Sequence, residues 1–318
     1  MSQAKLRNAS VKLQFCRLKK PKRQQYLTFA TVLMCLLTCL LVFFCKEPHS
    51  IARQLACMPQ EDRHSVEFFF RSAIAFDGFG YGLFGDKPLS VLVYCESPSA
   101  SREEFFSCHP RFHSFNNKIK QGWICWSKHQ GKFHLKNYAL IKSKNFVHNN
   151  FTAIVLVNKK SVLETIDAHL EDFKSILGAH VSSQGLLEEI LQSNDIFCGV
   201  LQDHQGLIGT LLGYGRNNAW AFHQRYEMQM SIENNFIHLL RKTPIPEERD
   251  ALNNKLQPFT RQQRFNRLFM SLPTFVADLD SLETQLLYKK YEYYYQNILQ
   301  RYKEGDFLEI TLQQLSSS

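Results

Sequence analysis

Residues 80–85 read Gly80-Tyr81-Gly82-Leu83-Phe84-Gly85, a G-x-G-x-x-G spacing with Gly78 just before it. Glycines so spaced can lay backbone amides against a pyrophosphate, provided that a strand precedes them and a helix follows. Around residues 77–88 the order reads helix, loop, strand, so the geometry that makes the motif bind phosphate is missing. A tight turn is expected instead. Its aromatics Phe79, Tyr81 and Phe84 either pack back on the core or form a contact surface, and they are taken as candidate binding residues. Asp86 and Lys87 read as solvated.

A second glycine cluster, Gly206, Gly209, Gly213 and Gly215, lies in DHQGLIGTLLGYGRNNAW. Gly209 and Gly213 are four apart, which lets another helix approach closely inside a globular core. Polar residues on both sides leave too short an apolar run for a membrane span. Arg216 beside Asn217 could take an anion next to exposed amides, making both candidate binding residues. Cys95, Cys108, His109, His113 and Cys125 are metal-ligand types within 31 residues. They lack the tight cysteine pairs of structural zinc sites, so no metal site is assigned. There is no H-E-x-x-H, G-x-S-x-G or Walker loop, so no catalytic residue and no cofactor is assigned. A set assembled from distant positions would escape such a search.

The elements that must carry these residues can be read in outline. His64–Phe76 has a helix-like apolar face. Leu89–Cys95 and Phe151–Val157 are near-continuous apolar runs of strand length, as interior strands are. Trp123–Ser127 and Phe133–Ile141 read as further strands. Asn158 can cap a helix over Lys159–Leu177, closed by Gly178. Beyond residue 184 the chain reads as helices: Gln184–Gln192, Asp195–Gln229 broken near Gly213–Gly215, Pro246–Leu256, Thr260–Leu272 and Asp280–Lys303. In the last of these Asp280 and Glu283 resemble a capping box. Leu282, Leu286, Tyr293 and Leu299 share one face, taken as its core face, while its tyrosines straddle core and water.

The net charge of +9 is a property of one end. Eight Lys and Arg lie in the first 23 residues, and no Asp or Glu precedes Glu47. Beyond residue 45 there are 30 basic and 29 acidic residues, which removes the electrostatic footprint of a nucleic-acid binder. Tyr26–Cys45 is twenty residues without a charge, long enough for a ~30 Å hydrocarbon core. The basic cluster before it should stay cytoplasmic, placing the rest of the chain outside the cytoplasm. The segment reads as an uncleaved signal anchor, because Phe43-Phe44-Cys45-Lys46 offers no small-residue cleavage site. Five cysteines follow it, an odd number at unrepeated spacings, which is not a disulfide scaffold. Cys108 with Cys125 is a candidate bridge.

The stretches HSVEFFFRSAIAFDGFGYGLFGDKPLS, LLGYGRNNAWAFH and LPTFVADLDSLETQLLYKKY resemble segments of uncharacterised membrane-associated proteins of chlamydia-like intracellular bacteria. The resemblance covers roughly residues 64–312 and carries no activity, cofactor or catalytic residue. It implies a Gram-negative-type envelope, and hence a periplasmic body.

The resulting expectation is an α+β fold, with mixed α/β as the neighbouring alternative. A basic tail (1–25), a transmembrane helix (26–45) and a tether (46–63) precede a globular body (64–318). A small sheet is expected near 89–157, then a largely helical half, with 184–318 as a candidate helical subdomain. Two functions stand. One is a single-pass, membrane-anchored envelope protein, held in lipid through 26–45, whose body binds a protein partner or is structural. The alternative is an envelope enzyme, with a hydrolase as its named class, whose site joins glycine loops 77–88 and 206–218. Asp77, Asp86, Arg216 and Asn217 are the residues to test for it. If the two loops lie on opposite sides of the fold, that alternative fails.

Overall fold

A computed structural model describes Met34 and residues 50–95, 110–144, 151–238, 256–259, 262–263, 270–271, 273 and 275–317. The chain divides into two units, Met1–Ser50 and Ile51–Ser318. Apart from Met34, the expected transmembrane segment lies outside the described residues, as do the basic tail and Cys108. Among the described residues no helix is long and apolar enough to cross a membrane.

The second unit is mixed α+β, mostly helical, around a small antiparallel three-stranded sheet. Its strands are β1 (Leu89–Cys95), β2 (Tyr138–Lys144) and β3 (Phe151–Asn158), in the order β1-β3-β2. The register sets Leu92 opposite Ile154 and Leu140 opposite Leu156. Side chains alternate across a strand, so β3 serves two cores at once. Ile154 and Leu156 enter one core; Ala153, Val155 and Val157 enter the other. That double burial explains the unbroken apolar run of β3.

The first core is covered by α1 (Ile51–Ala56), α2 (Gln60–Phe76), the short α3 (Phe79–Phe84), α4 (Pro110–His129), α10 (Leu282–Lys303) and α11 (Phe307–Ser316). The second is covered by α5 (Lys159–Ala168), α6 (Leu170–Leu177), α7 (Ser183–Gln192), a π-type turn at Ile196–Val200 and α8 (Gln205–Leu211). Trp220 of α9 (Arg216–His238) packs against the same side. Residues 184–318 are therefore split between the two faces of the sheet rather than gathered into one helical subdomain. The unit also starts earlier than the sequence suggests, because Leu55 and Met58 in the expected tether are core residues.

Trp123–Ser127 is helical, not a strand. Its apolar run belongs to the long helix α4, in which Ile119, Trp123 and Trp126 recur at helical spacing and are buried together. The strand expected over Phe133–Ile141 starts at Tyr138 instead, after a 3-10 turn at Gln130–Lys132. The helix expected over Lys159–Leu177 breaks at His169, with α5 capped by Asn158 as expected.

The described residues of the helix expected over Thr260–Leu272 are strand instead. Gln262–Gln263 (β5) pairs with Met270–Ser271 (β6), nested inside the pairing of β4 (Leu256–Phe259) with β7 (Phe275–Asp278). Pairing, not local propensity, makes these strands. Leu256 likewise belongs to β4, while the rest of the expected helix Pro246–Leu256 lies outside the described residues. The cap of α10 is Ser281, whose hydroxyl accepts from the Thr284 amide; it is not Asp280. The expected core face of α10 holds only at Leu299, which packs against the core. Tyr291, Tyr295 and Ile298 are buried, whereas Leu282, Leu286 and Tyr293 are 71, 56 and 64% exposed.

Candidate functional site

The first glycine segment is held down by Asn158, at the end of the central strand. Its side-chain amide donates to the Gly82 carbonyl at 3.0 Å, while its oxygen accepts from the Ser161 amide at 3.2 Å. Ser90 Oγ donates to the Gly78 carbonyl at 3.0 Å. Gly78 has φ +72°, a left-handed conformation that suits glycine. Segment 79–84 is thus a short helix pressed onto the sheet rather than an open loop. Phe79 and Tyr81 are fully buried and Phe84 half-buried. Phe79 and Tyr81 therefore offer no contact surface; the aromatics pack back on the core because Asn158 and Ser90 draw their backbone against it.

The second glycine segment meets the first. Gly213 has φ +74°, and a Cβ built on it would lie 3.3 Å from Lys87 Cγ and 3.5 Å from Pro88 Cδ. Tyr291 of α10 reaches into the junction, its hydroxyl donating to the Gly213 carbonyl at 2.6 Å. Its ring packs edge-on against Tyr81, with centroids 5.1 Å apart. Tyr214, next along the loop, stacks on Phe275 at 4.6 Å.

At this junction sits a lysine that the sequence reading set aside as solvated. Lys87 is 4% exposed. Its Nζ lies 5.9 Å from the centre of the Tyr214 ring and 3.2 Å from where a Cβ on Gly78 would be. Burial pushes its ammonium down to about 8, against a smaller upward pull from the Asp77 charge. Asp77 shows the converse: burial raises its carboxyl to about 7, and Lys87 opposes the rise. Asp77 and burial together hold the Tyr214 hydroxyl up at about 12, burial being the larger cause. Lys87 and Asp77 act on each other through space, with no hydrogen bond or ion pair between them among the described residues. Two desolvated groups of opposite type, both titrating near neutrality, can serve as proton donor and acceptor.

The other named residues have structural partners. Arg216 grips Asp172 with two hydrogen bonds, 2.5 and 2.8 Å, which hold that carboxyl below its usual range. The amides of Asn217 and Asn218 donate to the two oxygens of Glu283, each at 3.2 Å. The anion beside the exposed amides is therefore the protein's own carboxylate, set at the start of α9. Asp86 pairs with Lys290 at 3.1 Å. The two glycine segments thus come together as the alternative reading requires. Of the four residues named for that reading, Asp77 alone acts on Lys87 and Tyr214 at the junction. Lys87 was legible in one respect: it stands between a glycine turn and a buried strand, where a side chain must enter or leave the core.

Among the described residues no group of three or more His, Cys, Asp or Glu could hold a metal ion, and His109, like Cys108, lies outside them. Cys95 is bridged at both its amide and its carbonyl by the side chain of Asn116. Cys125 lies against Asp62, its Sγ donating at 3.4 Å, and its expected bridge partner Cys108 lies outside the described residues. Comparison with family models, curated proteins and solved structures finds no match for this chain.

Proposed function

We propose that the body is a small-molecule-binding, acid–base-competent domain with its site where the two glycine segments meet, Lys87 and Asp77 being the working pair. The observation that supports it is the unbridged Lys87–Asp77 pair between Gly78 and Tyr214. An ammonium and a carboxyl group held this way can both donate to a small oxygen-bearing ligand, and either can exchange a proton with it. On this reading the chain is the envelope enzyme of the alternative above. A hydrolase is its named class, and the Tyr26–Cys45 segment is the lipid anchor that carries the body outside the cytoplasm. Reading the body as a protein-interaction domain loses support, because Phe79 and Tyr81 are core residues.

The test is competitive acetylation of the full chain with trace acetic anhydride, read at each lysine by mass spectrometry as pH is varied. Lys87 should label with a midpoint near 8, and that midpoint should fall further in Asp77→Asn. Small carboxylates, phosphate and keto acids are then tried as protectants of Lys87. Labelling like an ordinary lysine, or labelling that no probe reduces, would leave a buried structural pair and sink the site. A reporter fused after Ser318 that is active only outside the cytoplasm tests the anchor separately.

A further inference from the structure

The loop that carries Gly213 and Tyr214 is the tip of a hairpin formed by α8 and α9. The two helices run side by side: a Cβ on Gly209 would lie 2.8 Å from Ala219 Cβ, and one on Gly206 would lie 3.3 Å from Trp220. At the opposite end of the hairpin His204 meets His223, with ring centres 3.9 Å apart and planes tilted by 35°. His204 also caps α8, its Nδ1 accepting from the Leu207 amide at 3.2 Å. An accepting Nδ1 carries no proton, so this ring is neutral with its hydrogen on Nε2. Just before it, Gln202 and Asp203 both take left-handed backbone conformations, φ 53° and 55°, uncommon for residues other than glycine.

We propose that His204 and His223 form an acid-sensitive clasp that holds the open end of the α8–α9 hairpin, and that acidification releases it and loosens the hairpin that carries Gly213 and Tyr214 at its tip. Protonating His204 at Nδ1 requires breaking its bond to the Leu207 amide. Protonating both rings sets two like charges against each other. Burial already holds both imidazoles below their usual range, and the neighbouring ring lowers His204 further. The charge that opposes this is Glu227, one turn beyond His223, which acts on both rings and on Asp203. Arg216, whose guanidinium lies 5.6 Å from the Trp220 ring, is committed to Asp172. No charged group of α5, which packs on α8, is among the charges acting on either ring. The sign follows. A histidine held down in the closed form binds its proton more tightly once open, so acid favours opening.

The clasp stands without the Lys87 site; only its effect on that site rests on the reading above. The experiment is hydrogen exchange of the full chain by mass spectrometry at about pH 7.5 and 5.5, corrected for intrinsic rates. Protection of peptides covering 205–215 should fall by about tenfold or more on acidification, tenfold being the scale of one pKa unit. The sheet should not change. His204→Asn keeps a cap acceptor that does not titrate and should cut the fall to below about twofold, on the same scale. His223→Phe keeps the stacked ring and should reduce the fall while leaving the part due to the His204 cap. No fall in the unmodified protein, or an equal fall in His204→Asn, would overturn the clasp. Failure of the Lys87 site reads out separately, as ordinary lysine labelling with the exchange result intact.

Discussion

The Tyr291 hydroxyl donates to the Gly213 carbonyl across 2.6 Å, joining residues 78 positions apart in the chain. Through this bond the long C-terminal helix α10 latches one glycine segment beside the other. Lys87 is enclosed at that meeting point. A site assembled this way depends on a contact that carries no polar group of its own to a ligand.

Tyr291→Phe should destabilise the body by about 1–2 kcal/mol, because the Gly213 carbonyl loses its donor. Gly213→Ala should cost more, from a left-handed backbone with a Cβ 2.6 Å from the Tyr291 hydroxyl oxygen. The two should be coupled: in the Tyr291→Phe background that clash is gone, and Gly213→Ala should cost less than it does alone. Urea unfolding of the four proteins measures this, and simple additivity would contradict the latch.

Asp77 and Lys87 give the body an unusual pH profile. The Asp77 carboxyl, raised to about 7, binds its proton more tightly folded than unfolded, so stability falls as pH rises from about 4 to 7. Lys87, lowered to about 8, does the reverse, and stability recovers as pH rises from about 8 to 10. A dip in stability near pH 7–8 is expected. Asp77→Asn should fill its lower limb and Lys87→Met its upper one, each by roughly 3–4 kcal/mol at about 1.4 kcal/mol per pKa unit. Chemical denaturation across pH would show no such dip if the pair were solvated.

Asp62 behaves in the ordinary sense for a carboxylate. His129 Nε2 at 2.7 Å, then Lys128 at 3.0 Å, hold it down at about 2. Its contribution is complete above about pH 4 and is lost as pH falls towards 2. Asp62→Asn should remove that part of the acid transition while leaving the profile above pH 5 parallel to the parent. An unchanged acid limb would show that the pair contributes nothing.

Asn158 can be dissected by two substitutions. Asn158→Asp keeps the cap on α5 but cannot donate to the Gly82 carbonyl; Asn158→Ala loses both. Losses of about 1–3 kcal/mol for the unpaired carbonyl and about 1 kcal/mol more for the cap are expected. Equal effects of the two would mean that the cap contributes little.

The exposed row on α10 offers the opposite case. Leu282→Ser, Leu286→Ser and Tyr293→Ser should each change stability by less than about 0.5 kcal/mol, as surface positions do. A loss of several kcal/mol, read by thermal unfolding, would mean that this face is covered in the folded protein.

Local signals in the sequence were strong where burial was symmetric or a cap was chemically explicit. Leu89–Cys95 and Phe151–Val157 are unbroken apolar runs, and Asn158 stands where a capping side chain is needed. The signal was weak where partners come from far away. Leu282 and Leu286 look like core residues because they are aliphatic, but α10 turns Tyr291 and Tyr295 inward. Tyr291 is satisfied there by the Gly213 carbonyl, and Tyr81 and Gly213 are too distant for any window to connect them. Lys87 was passed over for the same reason, since lysine is ordinarily solvated and the residues that enclose it include Tyr214. Asp77 was legible as a candidate through its place beside Gly78, but its partner was not.

The first helix of the body, α1, packs against the last, α11, and Leu55 and Met58 share a core with Leu312 and Leu315. The compact unit therefore begins and ends at one place. A short linker joining residue 317 to residue 51, with the chain reopened in an exposed turn such as Gln130–Lys132, should give a circular permutant that retains the native arrangement. Conversely, a nascent chain cannot complete this core until α11 is made. Truncation by even ten residues would uncover the very helix with which the fold started.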